Sequence, residues 1–566
     1  MIVVDDGSTD GTRSLVSQLA VPYPLRYIAK RNTGSRAATR NAGIRIARGE
    51  VLTFVDAEML CPPRFLEAHL GLHARYGPCA VCGWDRRLAT PPRLPLAPAW
   101  EEWAWGNCTN PDWVPGGGNL DVVPFITSDA SCRRVDAIEA GLFDEAFTGY
   151  GHEDLDLGMR LYLLGRRIVS APQTAAFHQP HPRASTIPRE LDRNSLYYTR
   201  KHHRLRNIVH CIDGLACGGA ERFLVSLARR LHGRQHSFTV VIEDPADHFV
   251  GELADCGVPV VRLPGDGLAG FLAATRPHAV HVHFAPTRWL PRLLRMSEHF
   301  PALATLHVDA QMPPMEGLDL VVCPSYGLAA IQPGPPAYYR TVWLGTDLGE
   351  FAPRGRRREM RREYGIPADA VVYGTAARLD DVKLTPTMLG VCAELVRARP
   401  NAYVLVFGEG LYADAYRAWI ATEGLADRIL LPGVVKDMAA HLEALDVCLH
   451  AVENESFGLA PLEAMAMGLP VVAPAVGGLT ETVEDGVSGL LCRDEQELLA
   501  AAVGFADGTH DARAMGYRAK QRARAFDERR TAFKYKLVYD ELIDGARYSW
   551  PWPSGHCSSA SSLETR

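Results

Sequence analysis

The sequence predicts an α/β protein built from several sheet-and-helix units, and three observations point there. Short apolar strands alternate with amphipathic helices along most of the chain. Several strands run into acidic or glycine-rich loops, where ligands collect in open α/β sheets. The length of 566 residues is too much for one core and implies about three or four folding units.

Composition narrows the function class. A hydrophobic share of 47% with 22% charged residues is ordinary for globular protein. The net charge of -6 is mild and argues against a nucleic-acid partner. Arg356-Arg357-Arg358 and Arg361-Arg362 form only a local basic patch, read as a solvated face or as a peripheral contact for an anionic membrane surface. The 13 cysteines form no framework, and Cys79-Ala80-Val81-Cys82 lacks a second pair at zinc-ribbon spacing. A reducing compartment fits. No segment reaches the ~18 apolar residues of a membrane helix, and no signal peptide is read. The expectation is a cytoplasmic protein, with any membrane association peripheral and at the inner face.

Taken in order, Ile2-Val3-Val4 followed by Asp5-Asp6-Gly7-Ser8 reads as a buried parallel strand feeding a loop. Acids there suit a ligand site, although an Asp-Gly turn with Ser8 as a helix cap explains the same string. Leu52-Thr53-Phe54-Val55-Asp56-Ala57-Glu58 reads as an apolar strand ending in two carboxylates, which strand alternation would aim to one side. Glu153-Asp154 opens a helix, where acids also compensate the helix dipole. Residues 183–206 are polar and basic and are read as a linker with a short helix through Leu191, Ser195, Leu196 and Tyr198. From Asn207 onward strand and helix repeat, which predicts two doubly wound sheets facing each other. Gly218-Gly219 opens a helix whose positive end suits a phosphate. Glu455-Ser456-Phe457-Gly458-Leu459-Ala460-Pro461-Leu462-Glu463 places two carboxylates eight positions apart around a Phe-Gly turn, ahead of a helix that stops near Gly468-Leu469-Pro470. The tail over 547–566 is expected to be disordered.

Two resemblances give these strings roles. Residues 1–182, through the strings at 2–12, 32–43, 52–58 and 149–161, resemble family 2 glycosyltransferases, which have the GT-A fold. The first string matches that family's second strand, so a partial GT-A-like domain is expected. The resemblance implies that Asp5 and Asp6 contact the donor. It implies that Asp56, Glu58 and His178 hold Mg²⁺ or Mn²⁺, hard ions that prefer oxygen ligands, with Glu58 departing from the family's Asp-x-Asp. Asp154 would be the general base of an inverting transfer, with Glu153 orienting the acceptor.

Residues 207–546 resemble family 4 glycosyltransferases of the GT-B fold, with two Rossmann-like domains over 207–345 (acceptor side) and 346–546 (nucleotide-sugar side). The matching elements are Gly218-Gly219, Thr305-Leu306-His307, Arg378…Lys383 and Glu455…Glu463. The resemblance implies that Gly218 and Gly219 meet the donor phosphates and that Arg378 and Lys383 neutralise the leaving pyrophosphate without metal. It places His307 and Glu455 by the sugar and Glu463 on the ribose, in a retaining transfer. Leu384 stands where the family usually has Gly. Together these imply a bifunctional transferase that uses nucleotide-sugar donors on a glycan or lipid-linked acceptor, in surface polysaccharide synthesis. The alternative is a catalytic C-terminal half carrying an N-terminal acceptor-binding or scaffolding module.

Overall fold

A computed structural model of the chain describes residues 1–92, 100–108, 125–180, 187–203, 205–216, 218–263, 267–284, 300–312, 315, 318–380 and 383–548. The chain divides into two compact units, one of residues 1–204 with 539–566 and one of residues 205–538.

The first unit holds two sheets. Strands β1 (Ile2–Asp5) and β2 (Arg26–Ala29) pair in parallel as a sheet of their own. The expected burial of β1 is therefore incomplete: with one neighbouring strand, Ile2, Val3 and Val4 are only half-buried. The second sheet contains β3 (Val51–Val55), β4 (Met59–Leu60), β5 (Cys79–Arg87), β6 (Asp129–Arg133) and β7 (Arg167–His178), in the order β3-β6-β5-β7-β4. It is mixed: β6 runs antiparallel to β3 and β5, while β5 and β7 are parallel. Cys79 and Cys82 are buried free thiols within β5, three positions apart and so on opposite faces.

The expected linker over 183–206 is instead, in its described part, a helix over Ile187–His203 that belongs to the first unit. Its charges misled, because several are buried. The Lys201 ammonium lies 2.8 Å from Asp144 and 2.6 Å from Asp156, all three side chains fully buried. His202 and Arg160 also meet Asp156, at 2.8 and 2.7 Å. The expected disordered tail begins with two anchored residues. The Arg547 backbone N–H donates to Asp144 at 2.8 Å, and the Tyr548 hydroxyl donates to Asp540 at 2.9 Å. The rest of that tail lies outside the described residues.

The second unit contains two all-parallel sheets. The first takes β8 (Arg206–Cys211), β9 (His236–Ile242), β10 (Val260–Arg262), β11 (Ala279–Phe284), β12 (Ala302–Leu306), β13 (Leu320–Cys323) and β14 (Tyr339–Thr341) in the order β10-β9-β8-β11-β12-β13-β14. The second takes β15 (Val371–Ala376), β16 (Ala402–Phe407), β17 (Ile429–Gly433), β18 (Val447–Leu449), β19 (Val471–Pro474) and β20 (Gly489–Cys492) in the order β17-β16-β15-β18-β19-β20. Both are doubly wound. Strand order reverses between β8 and β11 and between β15 and β18, which opens a crevice beyond the carboxyl ends of those strands. Val404, Leu405 and Val406 are all buried, as expected for a strand covered on both faces.

Candidate active sites

In the second unit, the predicted residues gather at the β15/β18 reversal. Lys383 follows β15, and its ammonium lies 2.7 Å from Glu455 and donates to the Asn454 carbonyl at 3.1 Å. His450, just past β18, meets the same Glu455 oxygen through Nε2 at 3.2 Å, and Thr375 lies 2.8 Å from its Nδ1. Burial alone would raise the Glu455 carboxyl. The His450 contact and the Lys383 charge overcome it and hold it at about 2. Arg378 is exposed and pairs with Asp380 at 3.2 Å, so it does not join the Lys383 cluster. Leu384 fills the family's glycine position with a core side chain, 1% exposed, whose N–H bonds the Arg378 carbonyl at 3.1 Å.

Glycines let this loop close. Gly458 caps the Leu459–Met467 helix at φ 97°, a left-handed conformation that other residues resist. Gly477 sits at φ +45°, and a Cβ there would lie 1.9 Å from the Glu455 carbonyl and 2.6 Å from Asp309. Gly218 and Gly219 open the Gly219–Leu231 helix, with Gly219 against Leu459 at the start of the Glu463 helix. Glu463 lines a cavity with Arg222 and Glu528, and burial pushes its carboxyl up to about 7. His307 follows β12, and its carbonyl accepts from the Ser456 hydroxyl at 3.2 Å, which brings the two sheets' loops together.

In the first unit, Asp56 and Glu58 lie in a turn between β3 and β4 rather than in a strand, closed by the Met59 N–H on the Asp56 carbonyl at 3.1 Å. Alternation therefore does not aim them together. Glu58 lies 3.6 Å from His178, while Asp56 meets Arg40 at 3.3 Å. Arg40 also meets Glu153 at 2.6 Å, so one guanidinium joins the strand-end acid to the helix-start acid. Burial and the adjacent Glu153 raise the Asp154 carboxyl, and Arg40 only partly offsets them. Asp5 accepts from the Ser8 N–H at 2.8 Å and from the Tyr27 hydroxyl, and bonds to these neighbours hold it down at about 2. Asp6 accepts from Thr33. Asp5 thus bonds its own turn and β2, and Asp6 bonds the loop that follows β2. Among the described residues, the ligand atoms of Asp56, Glu58 and His178 do not all come within 4.8 Å of one another, because Asp56 is drawn to Arg40 while Glu58 stays by His178.

Four residues outside the predicted set belong to these sites. Arg40, Asp85, His450 and Asp309 come from separate stretches of chain; Arg40 lies in the matching string at 32–43 without an implied role, and no local motif marks the other three. Burial pushes Asp85 up to about 6, within electrostatic reach of His178 and Asp56. Burial and Glu455 raise Asp309.

A family model described as glycosyl transferase family 2 matches residues 1–114, and one described as glycosyl transferases group 1 matches residues 356–522. The chain thus carries matches to two glycosyltransferase family models, one near each end. A D-inositol 3-phosphate glycosyltransferase of Saccharomonospora viridis is 36% identical over 233 residues, covering 39% of this chain and 54% of that protein. One of Thermobispora bispora is 29% identical over 302 residues, covering 50% and 70%. The validoxylamine A glucosyltransferase of Streptomyces hygroscopicus subsp. jinggangensis is 29% identical over 231 residues, covering 36% and 54%. The chain spans about half the length of the Saccharomonospora viridis and Streptomyces hygroscopicus proteins.

Among solved structures, Anabaena HepE in complex with UDP and glucose superposes with a TM-score of 0.51 at 20% identity, over 59% of this chain and 98% of that one. A glycosyltransferase from Rickettsia africae gives 0.51 at 17% identity, over 60% and 99%. The glycosyltransferase fold of the second unit is thus GT-B. Among the described residues, no helix is long and apolar enough to cross a membrane.

Proposed function

We propose that the chain is a bifunctional glycosyltransferase that moves sugars from nucleotide-sugar donors to a glycan or lipid-linked acceptor. The observation that carries the reading is the Lys383–Glu455–His450 cluster at the β15/β18 reversal, where a ligand crevice is expected. In this half, Lys383 neutralises the diphosphate as the anomeric C–O bond breaks, and Arg378 leaves Asp380 to join it. Glu463 accepts from the ribose hydroxyls. Glu455, held ionised, keeps Lys383 in place beside the sugar. The acceptor hydroxyl attacks from the same face and passes its proton to the departing diphosphate, which retains configuration, and no metal takes part.

In the N-terminal half, Asp154 takes the acceptor hydroxyl proton, the oxygen attacks the anomeric carbon, and the nucleoside diphosphate leaves from the opposite face with inversion. Asp56 would have to leave Arg40 and join Glu58 and His178 to hold Mg²⁺ or Mn²⁺, which would supply positive charge to the leaving diphosphate. Joining the two halves raises the concentration of the first product at the second site. Assembly of a surface polysaccharide suits such a pair, and the polyol phosphate named in relatives is a second acceptor class to try.

A second reading has its own support. The sheet formed by β1 and β2 is separate from the five-stranded sheet, and Asp5 and Asp6 are engaged by Ser8 and by Thr33 of the loop after β2. On that reading the N-terminal half only binds the acceptor. Nucleotide release from a panel of nucleotide sugars, with and without EDTA, separates the two. Two activities are expected, one EDTA-sensitive and lost in Asp154→Ala, the other EDTA-resistant and lost in Glu463→Ala. A single EDTA-resistant activity would leave only the second reading.

A further inference from the structure

One face of the first parallel sheet of the second unit carries an unusual polar ladder. In register, His210 of β8 lies opposite His281 of β11, and His283 of β11 lies opposite Thr305 of β12. Alternation keeps all four on one face and brings His307, two residues past Thr305, onto it as well. The three strand histidines are buried, at 0%, 0% and 1% exposure. They form two hydrogen-bonded lines. His210 Nδ1 lies 2.9 Å from His283 Nε2, and His283 Nδ1 lies 3.4 Å from His307 Nε2. Beside it, His281 Nε2 lies 2.7 Å from the Thr305 hydroxyl, which lies 2.8 Å from the Tyr535 hydroxyl.

We infer that His283 is a positioning residue, which through the line His210–His283–His307 decides which ring nitrogen of His307 carries the proton. The inference rests on the reading of His307 as a residue of the sugar cleft. Proton counting gives it content. Burial pushes all three histidines far below their ordinary value, so each ring carries one N–H. Two N–H groups must fill the two bonds, and they must run in one direction. If His307 Nε2–H donates to His283, then His283 Nε2–H donates to His210, and His307 Nδ1 is left as an acceptor. If the line runs the other way, His307 Nδ1 carries the proton and is a donor. Among the described residues His307 Nδ1 has no protein partner, so this nitrogen is the one left to meet a sugar hydroxyl. The line therefore sets the polarity of the group offered to substrate from two strands away.

The same cluster brings three imidazoles within 4.8 Å, as a metal site would. Ring orientation argues otherwise. His210 and His283 are tilted by only 22°, and His281 and His283 by 31° at 4.3 Å between centroids. Lone pairs lie in the ring planes, so rings stacked in this way, with only the His210–His281 pair opened to 46°, do not aim them at one ion.

The test is two-bond ¹H–¹⁵N imidazole correlation on the full chain labelled at histidine, with His307 assigned by His307→Gln. The wild-type protein is expected to show one His307 tautomer. His283→Phe should release it into a mixture and lower the EDTA-resistant kcat roughly tenfold, the worth of one hydrogen bond, with donor KM unchanged. His283→Gln keeps a donor and an acceptor and should restore both. An unchanged His307 tautomer in His283→Phe, in protein of unchanged circular dichroism, overturns the inference. So does an equivalent of zinc that co-purifies with the chain and is lost in His281→Ala. The tautomer reading needs no substrate. A chain with no turnover would sink the functional reading while the spectrum still decides the line.

Discussion

Asp154 and Glu455 are both desolvated carboxylates, one in each unit, and their protons behave in opposite ways. Desolvation raises Asp154, the adjacent Glu153 raises it further, and Arg40 gives back only part of the shift. Desolvation also acts on Glu455, yet the His450 contact and the Lys383 charge reverse it. Burial thus does not set the sign; the nearest charges do. A carboxyl with raised proton affinity suits a base that must accept a proton from a hydroxyl. A carboxylate that never protonates suits an anchor for a cation. The first unit keeps an excess of acid around one arginine, as a site awaiting positive charge would. The second unit supplies its own cations.

That contrast breaks most sharply under paired substitution. Asp154→Asn should lower the EDTA-sensitive turnover by roughly 10²- to 10⁴-fold, the range of a lost general base. The EDTA-resistant turnover should stay as it was. Lys383→Met should do the reverse, with a loss of about 10²- to 10³-fold, comparable to removing one preorganised donor from a developing anion. Initial rates of nucleotide release, measured with each donor under both conditions, check both. If either variant lowers both activities, the two sites are not chemically separate.

The next effect is on stability and tests the first unit alone. Lys201 neutralises Asp144 and Asp156 where no water reaches. Lys201→Met keeps the bulk and removes the charge. It should destabilise this unit by about 3–5 kcal/mol, because the carboxylates stay buried with less compensation. Urea unfolding followed through the EDTA-sensitive activity should shift accordingly, while the EDTA-resistant activity keeps its midpoint. Equal shifts in both would mean that the units unfold as one.

How much of this was legible in the sequence follows from how local each feature is. Glu455, Gly458 and Glu463 lie within one turn and one helix, and their spacing survives in the structure. The doubly wound sheets were legible too, because strands buried on both faces are apolar throughout. Arg40 was not, since its partners Asp56 and Glu153 lie 16 and 113 positions away. The Ile187–His203 helix was read as a linker because its buried charges look like solvated ones when their partners are unseen. The Asp56-Ala57-Glu58 string was read as a strand end, and a turn closed by Met59 replaced it. Neutral histidines buried across three strands give no periodic signal at all, so the line to His307 exists only in the fold.

The smallest expected effect is on pH dependence, and it sharpens the comparison most. As the proposed base, Asp154 would act only when deprotonated, and its folded-state value lies above the ordinary 3.8. The EDTA-sensitive kcat/KM should therefore rise with pH through a limb placed above the usual carboxylate range, and the limb should vanish from the residual activity of Asp154→Asn. Glu455 stands at about 2 against an ordinary 4.5, so it is already ionised across that window. Its depressed value gives stability that is fully present above about pH 4.5 and fades only as pH falls toward about 2. The EDTA-resistant kcat should then be flat with respect to Glu455. Glu463 behaves differently, since burial places it at about 7 and its ionised form is the better acceptor for ribose hydroxyls. The donor KM of the EDTA-resistant activity should fall as pH rises through about 7, and Glu463→Gln should flatten that change. An acidic limb in the EDTA-resistant kcat that survives in Glu463→Gln would show that Glu455 titrates in this window, and the opposed shifts of Asp154 and Glu455 would then have no bearing on turnover.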